Sequence, residues 1–284
     1  MVIESISDHI LVDTTTQRTS RSCVLGAISL NDYSIVIDSG DSIDVGKTLR
    51  KEIKTHFKCP TRYLFFTHTH NDHRNGREAF NDCIFLMSQQ CRENMPKSVR
   101  LNKNSVETFE EKSILAVDDL SVEFIRVGGH SIGFSVAYFP NESILFGGDM
   151  FIVGSVNFGL PFMSFYQNKP KSTGNPEEYL AAFEMFKQMD LDVIVPGHGD
   201  LIREPKEYLE TQSKFFEDLK KHFVSAIKEG RSEKEIEMPK LQPIIDAYKD
   251  AETRKPRSRA IRFLDHYLTI LKNSFFNYYS GKFD

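Results

Sequence analysis

Thr67-His68-Thr69-His70-Asn71-Asp72-His73 gathers three imidazoles and a carboxylate into seven consecutive residues. These are the ligands that borderline cations such as zinc prefer. His68 and His70 are two positions apart, so on an extended segment both side chains point to one side and can grip one cation. Asp72 and His73 follow where the chain turns toward Gly76 and can face a second cation beside the first. A paired site needs more ligands, and three stand behind small residues at strand-to-loop junctions: His130 after Gly128-Gly129, Asp149 after Gly147-Gly148, and His198 within Pro196-Gly197-His198-Gly199. Glycine lets the backbone come close to an ion without side-chain obstruction. Two cations held about 3.5 to 4 Å apart suit hydrolysis, because they lower the pKa of a shared water and polarise the bond under attack. His9, His56, His222 and His266 belong to no such pattern and read as surface or hydrogen-bonded residues.

The elements that must position these residues are short strands interrupted by helices, giving way near residue 200 to helix alone. Residues 9–13, 22–30 and 33–38 are rich in β-branched residues and end in turn-formers such as Asn31-Asp32 and Ser39-Gly40, which predicts an antiparallel meander. Val45, Leu49, Ile53 and Phe57 recur every four residues and predict an amphipathic helix over 44–57, ending before Pro60. A buried strand over 63–67 leads into the histidine-rich run. Further strands are expected over 83–87, 107–117, 122–127, 134–139 and 143–146, with Pro140-Asn141-Glu142 as the turn between the last two. Asn175-Pro176-Glu177-Glu178 orders an N-cap, a first-turn proline and an N3 glutamate, predicting a helix to about residue 189. A short strand over 192–195 then runs into Pro196-Gly197-His198-Gly199. Beyond it, Tyr208, Leu209, Phe215, Phe216, Leu219, Phe223 and Ile227 keep helical spacing until Gly230. Ser232 with Glu235 reads as a capping box for another short helix, and Ile261, Leu264, Leu268 and Leu271 mark a last helix over 257–273. This divides the chain into an α/β part, residues 1–203, and a helical extension, residues 204–284.

Composition narrows the function classes. The 284 residues are 40% hydrophobic and 27% charged with a net charge of -4, an ordinary globular balance with no overall basic field to attract nucleic acid or anionic membranes. The N-terminus lacks the basic start and apolar run of a secretory signal, and no stretch approaches the roughly 20 apolar residues that cross a bilayer. A cytoplasmic protein is expected. Cys23, Cys59, Cys83 and Cys91 show no paired spacing and read as reduced packing residues. Arg254, Lys255, Arg257, Arg259 and Arg262 form the one basic cluster, more readily a solvated helix start than a clamp for an acidic group. The aromatic stretch 151–174, with Phe151, Phe158, Phe162, Phe165 and Tyr166, follows Asp149 directly and either faces substrate or packs on the core; Tyr166 could donate to a developing oxyanion.

The order HxHxDH, Gly-His-Ser, Gly-Gly-Asp, Pro-Gly-His-Gly resembles the metallo-β-lactamase superfamily over about residues 10–201. The resemblance implies a four-layer αβ/βα sandwich with the metals at one edge. It assigns His68, His70 and His130 to a first metal and Asp72, His73 and His198 to a second, with Asp149 bridging and Asp38 supporting the ligand loop. Two zinc ions per chain are implied, with iron or manganese as alternatives. A metal-bridging hydroxide would attack a carbonyl of ester, lactone, thioester or amide type, with Asp72 orienting it and passing a proton. Asp149 at the bridging position is closer to the lactonase, glyoxalase II and general-hydrolase branches than to true β-lactamases, which leaves β-lactam hydrolysis, as main or side reaction, a second alternative. Pro196-Gly197-His198-Gly199 departs from the glyoxalase II pattern and tells against a glutathione thioester. Nucleic-acid-processing branches carry insertions absent at this length. The runner-up is a persulfide dioxygenase with one iron. A small-molecule substrate is expected, and the helical tail is expected to cap the pocket or form a homodimer.

Overall fold

The computed structural model describes residues 1–14, 23–99, 101, 105–154, 156–164 and 174–282. The start of the strand expected from Ser22, and Phe165 and Tyr166, lie outside the described residues.

Strands β1 (Ile3–Ser5), β2 (Ile10–Asp13), β3 (Leu25–Ser29) and β4 (Ser34–Ile37) pair antiparallel in sequence order, the last three forming the meander expected and β1 adding a strand to it. Helix α1 (Ile43–Phe57) crosses over to β5 (Thr61–Phe65), which lies parallel to β4. The helix opens on Ser42, whose side chain accepts from the Val45 amide, and buries Leu49 and Ile53. Beyond β5 come the single turn α2 (Asn71–Arg74) and a 3₁₀ segment, Asn75–Phe80. Strands β6 (Ile84–Ser88) and β7 (Val106–Phe109), separated by α3 (Gln89–Asn94), complete a seven-stranded sheet in the order β1 to β7.

The second sheet is built from β8 (Lys112–Val117), β9 (Leu120–Arg126), β10 (Ser135–Phe139), β11 (Ile144–Ile152) and β12 (Val193–His198), in the order β12-β11-β10-β9-β8. Its neighbours are antiparallel except for β11 and β12, which run parallel after the crossover helix α4 (Pro176–Lys187). The single strand expected over 107–117 is two strands in different sheets. Glu110-Glu111 breaks the apolar pattern, and the chain crosses between layers there, with the Arg126 amide donating to Glu111 O.

The central strands of each sheet are buried on both faces, and successive residues alternate between them, while β8 leaves one face exposed. Ile35 and Ile37 of β4, Phe65 of β5, Phe124 of β9, Phe146 of β11 and Val195 of β12 share the core between the sheets. Val36 and Leu64 point the other way and pack with Leu49 and Ile53 of α1. On the opposite outer face, Val136, Leu145 and Ile194 join Phe183 of α4 and residues of the C-terminal helices α5 (Pro205–Lys228), α6 (Gln242–Thr253) and α7 (Arg257–Tyr279) in one cluster. Helix, sheet, sheet, helix is the four-layer α/β sandwich expected, followed by a C-terminal helical region.

One C-terminal reading needs correction. Ser232 and Glu235 do bond, the Ser232 amide and hydroxyl both donating to Glu235 Oε2 at 2.8 and 2.6 Å, but they close a turn and no helix follows, because Pro239 comes too soon. The helix in this region is α6, whose buried positions Ile244, Ala247 and Ala251 are mostly small and leave a faint apolar stripe. At the basic cluster, Arg254 pairs with Asp250 and Arg257 with Glu252, which fits a solvated helix start. Among the described residues no helix is long and apolar enough to cross a membrane.

Candidate metal centre

The carboxyl ends of β5, β11 and β12 and the turn between β9 and β10 meet at one edge of the sandwich. His68 and His70 lie beyond β5 rather than on it, because the strand ends at Phe65. Loop geometry still brings their rings together, 4.4 Å between centroids. Asp72 and His73 ride on α2. Asp149 stands inside β11 and His198 ends β12; both strands run further than expected, through their glycines. At Gly197 the close approach is severe: a Cβ there would sit 2.0 Å from Asp149 Oδ1 and 2.7 Å from its amide nitrogen.

All seven motif residues converge. Candidate ligand atoms of His68, His70, His130 and Asp149 lie within 4.8 Å of one another, and so do those of Asp72, His73 and His198. Asp149 stands between the two groups. Its Oδ2 is 3.7 Å from His68 Nε2 and 3.6 Å from His130 Nε2, whereas Oδ1 is 3.1 Å from His73 Nε2 and 3.4 Å from His198 Nε2. Asp72 Oδ2 is 3.4 Å from His198 Nε2 and 3.8 Å from His73 Nε2.

The profile of the metallo-beta-lactamase superfamily matches residues 18–198, ending on the last of these histidines. The chain belongs to this superfamily. Two solved structures share the fold. A metallo-beta-lactamase from Pontibacter korlensis aligns with a TM-score of 0.60 at 22% identity, covering 76% of this chain and 99% of that one. The DIM-1 metallo-beta-lactamase aligns with a TM-score of 0.58 at 20% identity, covering 76% of this chain and 97% of that one. No curated protein matches the chain by sequence.

In this superfamily member the residues present fit a metal. His68 Nε2 is buried without a hydrogen-bond partner, an arrangement that costs free energy unless a cation satisfies it, and His73 Nε2 and Asp149 Oδ1, 3.1 Å apart, have no other partner. Their outer nitrogens are engaged. His73 Nδ1 lies 2.7 Å from Asp38 Oδ2 and donates to it. The Thr67 hydroxyl donates to the same oxygen at 2.7 Å, so its own oxygen accepts from His68 Nδ1 at 2.9 Å. His130 Nδ1 donates to Phe162 O at 2.7 Å. Each bond places the proton on Nδ1 and leaves the Nε2 lone pair facing inward. His70 is turned over, with Nε2 3.1 Å from Ser164 Oγ and Nδ1 3.2 Å from His130 Nε2.

Electrostatics divide the cluster. Burial lowers His68 well below its ordinary value, lowers His70, and takes His130 down to about 3, so these three imidazoles are held neutral. Burial opposes charge on His198 too, but Asp149 and Asp72 outweigh it and raise its pKa to about 9. His73 is likewise raised against burial by its anionic neighbours, Asp149, Asp38 and Asp72 among them. Burial would raise Asp72, yet His73 and His198 hold it down to about 2, and Asp149 is lowered by the same two rings.

Sequence reasoning missed Thr67, Ser164, Tyr179 and the Phe162 carbonyl, and read Asp38 correctly as a prop for the ligand loop. Asp38 Oδ1 also accepts from the Thr67 amide at 2.9 Å. Of the histidines left aside, His9 meets Glu142 at 2.8 Å and His56 meets Glu52 O at 2.8 Å, both remote from the cluster.

Proposed function

We propose that this protein is a dinuclear metal-dependent hydrolase that opens an ester, lactone, thioester or amide carbonyl of a small molecule. The observation that carries the reading is the placement of Asp149, with one carboxylate oxygen turned to each of two ligand groups. His68, His70 and His130 would hold one cation, Asp72, His73 and His198 the other, and Asp149 both. Two zinc ions so held supply an activated water near neutral pH and a Lewis acid for the carbonyl oxygen.

The chain's own residues do the rest. Asp72 is the acid that opens to solvent, its side chain 32% exposed against 6% for Asp149. His73 and His198 beside Asp72 keep it ionised at neutral pH, and its position beside both rings and open to solvent suits it to orient the attacking water and pass its proton to the leaving group. His68, His130 and Asp149 are buried, which keeps bulk water from competing for their lone pairs.

Asp149→Ala tests the reading: turnover is expected to disappear and metal binding to weaken, and full activity in that variant would end it. Elemental analysis of protein purified without chelators is expected to give about two zinc ions per chain, whereas about one iron would favour dioxygenase chemistry. Substrate class is then read from a panel of lactones, thioesters, simple esters and cephalosporins. The β-lactam belongs there because the two solved structures described above are metallo-beta-lactamases.

A further inference from the structure

One short segment supplies the outer partners of two histidines in the first group. Phe162 O accepts from His130 Nδ1 at 2.7 Å, and Ser164 Oγ lies 3.1 Å from His70 Nε2. The Ser164 amide also donates to His130 O at 2.9 Å, closing the segment onto the turn that carries this ligand. Residues 161–164 therefore act as a strap outside the His68, His70, His130 group, while the outer side of His73 is held from a different place, by Asp38.

The strap is anchored by two buried tyrosines on different helices. Tyr179 of α4 donates to Phe162 O at 2.7 Å. Tyr267 of α7 donates to Pro161 O, and its ring stands 5.9 Å from Phe162, which in turn stands 5.7 Å from His130. Tyr267 lies beyond residue 198, where the superfamily match ends. A hydroxyl buried in an apolar helix cluster needs a partner, and here the partner is the strap.

We propose that the C-terminal helix α7 positions the first metal from outside: Tyr267 fixes residues 161–164, and these fix the tautomer and aim of His130 and His70. The proposal rests on the reading of the cluster as a metal centre. Tyr267 is a positioning residue and touches no ligand atom. Partners of ligating histidines typically change metal affinity about 10–100-fold when lost, and an anchor one step further out belongs near the low end of that range.

The test is metal-competition titration of the full chain, with zinc as the probe. Tyr267→Phe is combined separately with His198→Ala, which keeps the three-histidine position, and with His130→Ala, which keeps the other. The expected result is about 10-fold weaker zinc binding in the first pairing and an unchanged affinity in the second. Equal weakening in both pairings, or none in either, overturns the proposal, since a general loss of packing would not discriminate between positions. Ser164→Ala, which removes the partner of His70 Nε2 and leaves Tyr267 in place, is expected to reproduce the selective loss. Tyr208→Phe, which removes a buried hydroxyl facing Ile152 O, is expected to leave both affinities unchanged; a loss there equal to that of Tyr267→Phe also overturns it. A parent chain that binds no zinc fails the metal reading itself, a distinct outcome.

Discussion

Asp38 sits at φ +58 and uses both carboxylate oxygens, one for the Thr67 amide and the other for the Thr67 hydroxyl and His73 Nδ1. Asparagine tolerates that backbone region, so Asp38→Asn isolates the loss of charge and of one acceptor. His73 Nδ1 would then face an amide nitrogen. We expect a cost of about 1–3 kcal/mol in urea unfolding of the metal-free protein and about 10–100-fold weaker metal binding; a variant unchanged in both would show that Asp38 carries no such duty. The thiols give a second prediction at this scale. Burial pushes Cys23, Cys83 and Cys91 up to about 12, against an ordinary value of 9.0, which leaves roughly a thousandfold less reactive thiolate at pH 8. Alkylation of native protein followed by mass spectrometry should label the half-buried Cys59 first. Early modification of Cys23, whose thiol donates to Asp72 O at 3.0 Å, would contradict its burial. The seven candidate ligands were legible in the sequence because histidine and aspartate in tight motifs behind glycines have few other uses. Their supports were not, since a serine, a tyrosine and a backbone carbonyl acquire meaning only when folding brings residues 130 and 162 together.

Elements with a clear signal were legible: α1, with apolar residues every four positions and a stop before Pro60, and α4, with Asn175 before Pro176. Asn175 Oδ1 accepts from the amides of Glu177 and Glu178 at 2.9 and 3.2 Å. Replacing it by alanine should cost about 1 kcal/mol in the urea transition, and an unmoved midpoint would mean that the tertiary contacts of α4 alone fix its start. Elements set by the fold rather than by local pattern were missed. The lengthening of β11 and β12 through their glycines reflects their parallel pairing around Asp149 and His198, which no window of sequence contains. Helix α6 escaped because it opens without a side-chain cap and buries two alanines. The close approach of the turn after β4 to the 3₁₀ segment Asn75–Phe80 is a tertiary demand of the same kind: a Cβ at Gly76 would stand 1.9 Å from Ser39 O. Gly76→Ala is therefore expected to destabilise the chain by more than the about 1 kcal/mol of an ordinary backbone substitution, read as a fall in thermal midpoint. Wild-type stability would mean that the loop has room to shift.

At the scale of the whole molecule, the metal edge and the C-terminal helices share one core. Phe216 of α5 is fully buried and stacks on Tyr179 of α4 at 4.6 Å between ring centroids, with Phe183 at 5.8 Å and Phe275 of α7 at 5.5 Å. Tyr179 is the residue whose hydroxyl reaches Phe162 O. A packing defect at Phe216 thus reaches both the stability of the helical layer and the backing of the metal strap. Phe216→Ala is expected to cost about 3–5 kcal/mol, seen as a lower urea midpoint at unchanged slope if the sandwich and helices unfold together. Two separate transitions would mean instead that the helices form a unit of their own and that the shared cluster is too weak to couple them. A single transition with the full loss would show that the sheet carrying Asp149 and His198 depends on helices lying well beyond His198 in sequence.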